Sequence, residues 1–330
     1  MNKIMIIVML IVINSFFIIS CETSEISSPN NQTNNIITET NSPIQIYFCP
    51  RDNCSTHLAN TLNKSTQFIH CAFFELNLHE IIKIINEKNG LVIVDDRNLD
   101  EIINKIPASN YAIDKKGKYM HNKFCVIDNK TITTGSFNPT LNGDKRNNNN
   151  FMIINSKSMA ENYEKEFQEL WKNKYTKERT KNNKLIHNNI SIEYYFCPED
   201  WCANRILEQI EKANSSIYFM TFSFTHDWIS RALIRKAKEG ITIKGVFEKS
   251  QNSKYNQFKN LQNKTNIEIS WDNNGGMMHH KVFIIDKKIV ITGSFNPSIN
   301  ADVNNDENIV IIEDEEIAEK YLREFDSLLS

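Results

Sequence analysis

The sequence predicts an α/β protein of two tandem repeats, each a mixed sheet flanked by helices, packed with pseudo-two-fold symmetry. Three short sequences carry this prediction because each occurs twice in the same order: residues 47–54 and 195–202, 120–128 and 278–286, and 134–139 and 292–297. The first pair is separated by 148 positions and the other two by 158, so the second repeat holds about ten additional residues between the first two sequences.

Composition restricts the class of protein. The chain has 330 residues, of which 40% are hydrophobic and 24% charged, which excludes a disordered chain, a collagen-like chain and a small disulfide-rich protein. Lys and Arg number 38 against 40 Asp and Glu. The net charge of −2 therefore provides no overall attraction for nucleic acid.

Residues 1–21 are typical of a secretion signal. Lys3 precedes an apolar stretch that is short for a membrane span and ends at Ser20 and Cys21. Residues 18–21 resemble a relaxed bacterial lipobox, which predicts a lipid on Cys21 and an exported lipoprotein anchored to a membrane of a bacterial cell envelope. The alternatives are an uncleaved anchor and cleavage without lipid.

The remaining chain divides into four segments. Residues 22–43 are rich in Ser, Thr, Asn and Glu without an apolar period, which predicts a disordered tether that reaches roughly 25 Å. Repeat 1 follows over 44–171 and repeat 2 over 191–330. The Lys-rich connector at 172–190 is interpreted as a solvated linker, and the alternative is a patch for phosphate backbones or anionic lipid heads.

The second repeat shows the α/β pattern in order. Residues 216–224 form a strand-like apolar run, Asp227 caps a helix that ends at Gly240, and residues 241–247 suggest the next strand. Two further apolar runs flank the turn at 286–288 and predict a hairpin. Each repeat then closes with an amphipathic helix whose apolar stripe is predicted to be core: Met159, Tyr163, Phe167 and Trp171, and Ile317, Tyr321, Phe325 and Leu329.

The chemistry is carried by two His-x-Lys pairs. His121 and Lys123, like His279 and Lys281, lie two residues apart on a predicted strand and so point to one face. An ammonium that holds non-bridging oxygens beside an imidazole that attacks or transfers a proton suits a phosphate group.

Other polar residues recur with these pairs. Asp128 and Asp286 follow at a hairpin turn, a location that suits support more than direct catalysis. Polar residues after a Gly at a strand end can reach an anion: Ser136, Asn138, Ser294 and Asn296.

The pattern His-x-Lys-x4-Asp-x6-Gly-Ser-x-Asn, present twice, resembles the phospholipase D superfamily over residues 45–330. The Tyr-Phe-Cys-Pro openings and residues 278–281 are most similar to the branch that contains mitochondrial cardiolipin hydrolase and small endonucleases. Members of that branch carry one motif and dimerise. Here one chain supplies both halves, which predicts a monomer.

The resemblance implies a metal-independent phosphodiesterase that needs no cofactor. His121 matches the nucleophile that forms a phosphohistidine, and His279 matches the general acid that protonates the leaving alcohol and then activates water. The reverse assignment of these two roles stays open. The residues that clamp the phosphate would be Lys123, Lys281, Asn138 and Asn296, with Ser136 and Ser294 assisting. As the last residues of the two motifs, Asp128 and Asp286 are counted among the catalytic residues.

One position breaks the symmetry. A Glu downstream of the motif often orients the His in this family, and Glu307 occupies that position in repeat 2, whereas repeat 1 has Asn149. An amide cannot steady an imidazolium as a carboxylate does. We therefore expect the two histidines to differ, and low activity if no other carboxylate reaches His121.

The cysteines predict two local disulfides. Cys49 with Cys54, and Cys197 with Cys202, are separated by the same short spacing in an exported chain. Free thiols and, less favoured, a zinc site are the alternatives. Cys71 and Cys125 lie in apolar strands and are expected to be buried small hydrophobes.

Three functions are compatible with these residues. The favoured hypothesis is hydrolysis of phospholipid headgroup esters, and the alternative is a DNA or RNA endonuclease with the same mechanism. A non-catalytic lipoprotein scaffold is the remote third. The same phosphate-binding residues serve lipid and nucleic acid, so the motifs do not choose between them.

Overall fold

A computed structural model describes residues 36–114, 117–173 and 178–329. The predicted signal sequence, Cys21, most of the predicted tether and part of the connector lie outside these residues. All described elements belong to one compact unit, Ile36–Ser330, so a chain that begins at Glu22 retains the complete fold. Within the described ranges, none of the helices combines the length and apolar character that a membrane span requires.

The first repeat is a seven-stranded mixed sheet with helices on both faces. After a short strand β1 (Ile37–Glu39), its strands are β2 (Gln45–Cys49), β3 (Ile69–Phe73), β4 (Leu91–Asp95), β5 (Tyr111–Asp114), β6 (Lys123–Ile127), β7 (Thr131–Gly135) and β8 (Asn149–Asn155). Its helices are α1 (Cys54–Asn63), α2 (His79–Glu87), α3 (Leu141–Lys145) and α4 (Lys157–Trp171), with a short 3-10 helix at Asp96–Glu101. The sheet order is β2-β8-β7-β6-β3-β4-β5, with β3, β4 and β5 parallel.

The second repeat has the same topology. Its strands are β9 (Lys184–His187), β10 (Ile190–Cys197), β11 (Ser216–Thr221), β12 (Thr242–Phe247), β13 (Ile267–Trp271), β14 (Lys281–Ile285), β15 (Ile289–Gly293) and β16 (Glu307–Glu313). Its helices are α5 (Cys202–Lys212), α6 (Asp227–Lys238), α7 (Phe258–Leu261), α8 (Ile299–Val303) and α9 (Glu315–Ser327), with a 3-10 turn at Lys249–Gln251. The order β10-β16-β15-β14-β11-β12-β13 matches the first sheet strand for strand, which confirms the predicted fold class.

In repeat 2 the structure confirms the predicted hairpin and the predicted end of helix α6, and it corrects the predicted helix cap. The predicted hairpin is β14 and β15, which pair antiparallel across the turn after Ile285. Gly240 has φ 97° and so ends α6 in the left-handed region that suits glycine. Asp227 is not the cap, because His226 occupies that position and Asp227 is the first residue of the helix.

The predicted tether and connector are more ordered than expected. The tether prediction is wrong at its end, since β1 pairs in parallel with β9, with Ile37 opposite Leu185. The connector is not only a solvated linker, because β9 and the start of β10 lie within it and Leu185 and His187 are buried. The buried side chains of β9, Leu185 and His187, alternate with the more exposed Lys184 and Ile186, as expected for a strand with one face packed against the protein.

A shared core joins the repeats. Residues of both sheets meet in one buried cluster, including Phe124 from β6 and Val282 from β14. The stripes of α4 and α9 pack into it, as predicted, except at two positions: Trp171 is only partly buried and Leu329 is 51% exposed, while Leu328 faces the core. Each repeat also has a separate outer core beneath its own helices. The two repeats therefore fold around one common interior.

All six cysteines of the described residues are paired. The structure joins Cys49 to Cys54 and Cys197 to Cys202, the local pairs expected from the spacing. Cys71 and Cys125 correct the sequence prediction, because they form a third disulfide. They lie directly opposite each other on the antiparallel strands β3 and β6, a proximity that sequence spacing does not show.

Candidate active site

The two His-x-Lys segments meet where the repeats meet. His121 and His279 lie just before β6 and β14, not within them as predicted. The backbone N–H of His121 donates to the carbonyl of Asp306 at 2.9 Å, and that of His279 donates to the carbonyl of Asn148 at 2.8 Å. Each segment thus pairs with the chain that leads into the last strand of the opposite repeat. Such an exchange of equivalent contacts is what a pseudo-two-fold relation produces.

This exchange decides the partner of His121. Its Nδ1 lies 2.8 Å from Oε2 of Glu307, the first residue of β16, and that carboxylate is fully buried. Ser294 donates its hydroxyl to the same oxygen at 2.7 Å, and the amide of Asn305 donates to the other oxygen at 3.1 Å. The expectation that Glu307 orients the histidine of its own repeat is wrong, because the carboxylate crosses to the other repeat.

His279 has an amide partner instead. Its Nδ1 lies 2.9 Å from Oδ1 of Asn149 and 3.1 Å from the carbonyl oxygen of Ser136. The Asn149 amide nitrogen donates to the carbonyls of Gly143 and Asn147, which turns its oxygen toward the ring. Both Nδ1 atoms therefore face acceptors and carry the hydrogen, which leaves each Nε2 with a lone pair.

Burial keeps both rings neutral at neutral pH. Burial lowers the pKa of His121 to about 4, although Glu307 acts in the opposite direction. The pKa of His279 lies well below its usual value because of burial and the nearby charges of Lys281 and Lys123. Burial by itself would raise the pKa of Glu307, but His121 and Lys123 outweigh it and hold that pKa below the usual value. The carboxylate stays ionised beside a neutral imidazole.

The two lysines flank the histidines in matching positions. Lys123 and Lys281 are buried, and each ammonium donates to the backbone carbonyl of its own motif histidine. Burial lowers the pKa of Lys123 to about 8, against the pull of Glu307 and Glu75. Burial together with the charge of Lys123 holds the pKa of Lys281 well below its usual value. An ammonium with donors to spare in a low-dielectric site holds an anion strongly.

A cavity of about 650 Å³ opens onto both histidines. It receives side chains from the two repeats in equivalent pairs: His121 and His279, Asn138 and Asn296, Phe74 and Phe222, and Tyr119 and Met277. The side-chain oxygen of Asn138 is buried without a hydrogen-bond partner among the described residues. Of the predicted site residues, the structure brings the two histidines and the two asparagines to this cavity.

Comparison with known proteins agrees with this geometry. The family model described as "Cardiolipin synthase, PLD-like domain" matches residues 58–171 and 206–329, which together are more than half of the chain. The chain belongs to the phospholipase D superfamily. Each match covers most of one repeat, so both phospholipase D motifs lie within matched segments.

Individual relatives align with about one repeat. Phospholipase D of Rickettsia typhi is 39% identical over 134 residues, which are 40% of this chain and 65% of that protein. Mitochondrial cardiolipin hydrolase of Mus musculus is 32% identical over 125 residues, which are 38% of this chain and 57% of that protein. The chain therefore spans about two thirds or less of the length of these relatives.

A solved structure extends the fold comparison to both repeats. The crystal structure of phosphatidylserine synthase from Haemophilus influenzae Rd KW20 has a TM-score of 0.65 and 12% identity, and the match covers 86% of this chain and 85% of that chain. This match shows that the two chains share a fold.

The motif aspartates lie away from the cavity. The carboxylate of Asp128 accepts hydrogen bonds from the backbone N–H groups of residues 66, 67 and 68 and from the Ser65 hydroxyl, at 2.8 to 2.9 Å. Asp286 accepts equivalent bonds from residues 214 to 216. Their place among catalytic residues is corrected, because these carboxylates hold the turns that begin β3 and β11. The supporting role inferred from their turn location agrees with this geometry.

The two motif serines hold the residues that orient the histidines. Ser294 donates to Glu307, and Ser136 lies 3.3 Å from Oδ1 of Asn149 in the equivalent position. Both are fully buried beneath those side chains. The predicted assistance to phosphate binding is therefore indirect, through Glu307 and Asn149.

Sequence reasoning missed an aromatic pair and an acid. Phe74 and Phe222 lie edge-on to His121 and His279, with ring centroids 5.0 and 4.8 Å apart. They also contact the lysines, with Nζ of Lys123 and of Lys281 at 5.2 and 4.9 Å from the ring centroids. Their separation of 148 positions, equal to that of the cysteine sequences, is the signal that could have found them. Glu75 has no acidic counterpart, since repeat 2 has Ser223 there.

Proposed function

We propose that this protein is a metal-independent phosphodiesterase that hydrolyses phospholipid headgroup esters through a phosphohistidine. One observation carries the proposal: two imidazoles from opposite repeats line a single cavity, and each has its Nδ1 held by an acceptor. That arrangement leaves two Nε2 atoms for one phosphorus, as in-line displacement requires.

The first step transfers the phosphoryl group to the protein. Nε2 of His121 forms a bond to phosphorus, and the bond from phosphorus to the alcohol oxygen breaks. His279 gives its Nε2 proton to that oxygen, so the alcohol leaves neutral. The negative charge of the bound phosphate raises the pKa of His279, so Nε2 of this ring takes up a proton from solvent when the substrate binds.

The second step returns the protein to its starting state. A water molecule gives a proton to Nε2 of His279 while its oxygen attacks phosphorus, and the bond between phosphorus and His121 breaks. Lys123 and Lys281, with the amides of Asn138 and Asn296, hold the non-bridging oxygens during both steps. Their two ammonium groups meet the charge that develops in the transition state.

The position of the Glu307 carboxylate supports the assignment of His121 as the nucleophile. A phosphohistidine formed at Nε2 with a hydrogen on Nδ1 is a cation, and Glu307 lies 2.8 Å from that nitrogen. His279, beside an amide and two ammonium groups, gives up its proton readily and suits the general acid. The geometry therefore favours the assignment made from the family resemblance.

Phospholipid is the favoured substrate. Proteins named phospholipase D and mitochondrial cardiolipin hydrolase are among its relatives. Tyr119 and Met277, which line the cavity, are 38% and 46% exposed, so each repeat adds one large exposed side chain that an acyl chain or glycerol group can contact, in a cavity whose other lining residues are mostly polar. We further propose that the protein is exported, is anchored through a lipid on Cys21, and acts as a monomer because one chain supplies both halves of the site.

The test compares four substrates in the presence of EDTA. Protein that begins at Glu22 is incubated with phosphatidylcholine, cardiolipin, single-stranded RNA and single-stranded DNA, beside His279→Ala and His121→Ala variants. We expect headgroup release that both variants lose. Strand cleavage with the same dependence would replace the lipid substrate with nucleic acid, and activity that requires added metal would contradict the mechanism. Turnover of no substrate would favour the scaffold hypothesis.

A further inference from the structure

We propose that repeat 2 carries a membrane-docking surface, the tryptophan face, formed by Trp201, Trp228, Ile299 and Val303, which inserts into the interfacial layer of a phospholipid bilayer beside the active site. The inference rests on the proposed phospholipid substrate, because it explains how the cavity reaches a lipid that stays in its membrane.

The tryptophan face is apolar and open to solvent. Trp201, Ile299 and Val303 are each 52% exposed and Trp228 is 64% exposed. They line one open groove of about 370 Å³. Isolated exposed apolar residues are ordinary on a protein surface, but a contiguous group that includes two tryptophans marks an interaction site.

Three separate elements bring these residues together. Trp201 precedes α5, Trp228 lies in the first turn of α6, and Ile299 and Val303 are the two ends of α8. Because they lie far apart in the chain, the sequence shows no apolar segment here. The fold brings the two tryptophans and the side chains of α8 into one surface.

The tryptophan face borders the active-site cavity. Ser298 and Asn300 line the cavity, and Ile299 lies between them with its side chain in the tryptophan face. A surface that enters the bilayer at Ile299 therefore brings the mouth of the cavity to the level of the phospholipid headgroups. That is the depth of the phosphodiester that the proposed reaction cleaves.

Two lysines and a third exposed aromatic ring lie next to the tryptophan face. Ile299 also borders a second groove, whose lining includes Lys254, Tyr255, Lys259 and Asp227, and the Asp227 carboxylate is paired with Arg231 at 2.7 Å. Tyr255 is 66% exposed, and the ammonium of Lys254 lies 4.9 Å from the centre of its ring. Aromatic rings favour the membrane–water interface, and lysines beside them attract anionic lipid heads, so the chemistry of this surface matches a bilayer.

The first repeat provides an internal comparison. The positions equivalent to Trp201, Trp228 and Val303 hold Asn53, Glu80 and Lys145, all exposed, whereas the position equivalent to Ile299 holds Leu141, which is also exposed. The fold therefore does not require apolar residues at the first three positions. The presence of both tryptophans in one repeat fits a single docking side on an otherwise symmetric molecule.

The experiment measures binding and catalysis separately. Protein that begins at Glu22, and so lacks the apolar leader and Cys21, is sedimented with vesicles of phosphatidylcholine and phosphatidylglycerol. The double variant Trp201→Ser/Trp228→Ser is compared with Leu329→Ser, which changes an equally exposed residue that lines none of the described cavities. Hydrolysis of bis(p-nitrophenyl) phosphate, which is soluble, reports on the active site. We expect vesicle affinity to fall at least about ten-fold in the double variant only, with hydrolysis of the soluble ester unchanged.

A second measurement does not depend on the folding of a variant. Vesicles that contain brominated phospholipid should quench the tryptophan fluorescence of the unmodified protein, because Trp201 and Trp228 reach the interfacial layer. Absence of quenching, or equal vesicle affinity in the double variant and the unmodified protein, overturns the docking surface.

The two proposals fail in different ways. If the unmodified protein binds vesicles through the tryptophan face but releases no headgroup, the docking surface stands and the phospholipase activity is wrong. If it hydrolyses phospholipid while its tryptophans remain unquenched, the activity stands and the docking surface is wrong.

Discussion

Nδ1 of His121 lies 2.8 Å from Oε2 of Glu307, and the two residues belong to different repeats. His279 has the equivalent crossed contact to Asn149, at 2.9 Å. Each motif histidine is therefore oriented by the opposite repeat, and only one of them has a carboxylate. The site is symmetric in geometry and asymmetric in charge, which is a physical basis for two different catalytic roles.

Replacement of Glu307 should lower the catalytic rate more than it weakens substrate binding. We expect Glu307→Gln to lower kcat between about 10²- and 10⁴-fold, because the amide cannot stabilise a cationic phosphohistidine at His121. Asn149→Ala should cost less, since the carbonyl of Ser136 still accepts from Nδ1 of His279. Steady-state kinetics with a soluble phosphodiester checks both variants, and an equal loss in the two would contradict the assigned roles.

Loss of the general acid should trap the intermediate. With a p-nitrophenyl ester the leaving group needs no proton, so His279→Ala should still form the phosphohistidine but lack the base that activates water. The expected result is a stoichiometric burst of p-nitrophenol and a mass increase on the peptide that contains His121. His121→Ala is the control and should show neither. A modified peptide that contains His279 in the unmodified enzyme would reverse the two roles.

The pH dependence follows from the depressed pKa of each imidazole. In the proposed mechanism, the reactive form of the free enzyme has His121 neutral and His279 protonated. Since burial and nearby lysines hold the pKa of His279 well below 6.5, kcat/KM should be greatest on the acid side of pH 6.5 and fall as pH rises. Below a pH of about 4, protonation of His121 should also reduce it.

The leaving group distinguishes this explanation from a general effect of pH. For a p-nitrophenyl ester the first step needs no proton from His279, so kcat/KM should no longer fall between the acid optimum and pH 7. Identical profiles for the alkyl and p-nitrophenyl esters would argue against His279 as the proton donor.

The motif aspartates should matter for stability and not for catalysis. Asp128→Asn removes a carboxylate that accepts several hydrogen bonds in the turn before β3, so we expect the free energy of unfolding to fall by roughly 2 kcal/mol. Values of kcat and KM should stay within about two-fold, because the carboxylate lies outside the cavity. Urea denaturation at pH 7 and steady-state kinetics measure the two quantities.

The same variant has an expected pH signature. Hydrogen bonds to the carboxylate outweigh its burial and hold the pKa of Asp128 below the usual value, so its contribution to stability is present above a pH of about 4. This stabilising contribution disappears as the pH falls through the pKa that Asp128 has in the folded protein. The difference in unfolding free energy between Asp128→Asn and the unmodified protein should therefore shrink in acid, and a difference that grows in acid would contradict this account.

Much of the site could be predicted from the sequence because its motif occurs twice in the chain. Duplication identified His121, Lys123, His279 and Lys281, and the placement of Asp128 at a turn indicated that this residue is structural. The aromatic pair Phe74 and Phe222 follows the same repeat but was missed, since a phenylalanine next to an apolar strand resembles ordinary core.

The sequence by itself determined the two-repeat fold, the superfamily and the pair of motif histidines that face the cavity, because these depend on local periodicity and on motifs within one repeat. Only the tertiary structure decided that Glu307 serves His121, that Cys71 bonds to Cys125, and that Trp201 and Trp228 form one surface with Ile299. The physical reason is common to all three. Each relation joins residues far apart in the chain, and their distance is set by the packing of strands and repeats, not by spacing along the sequence.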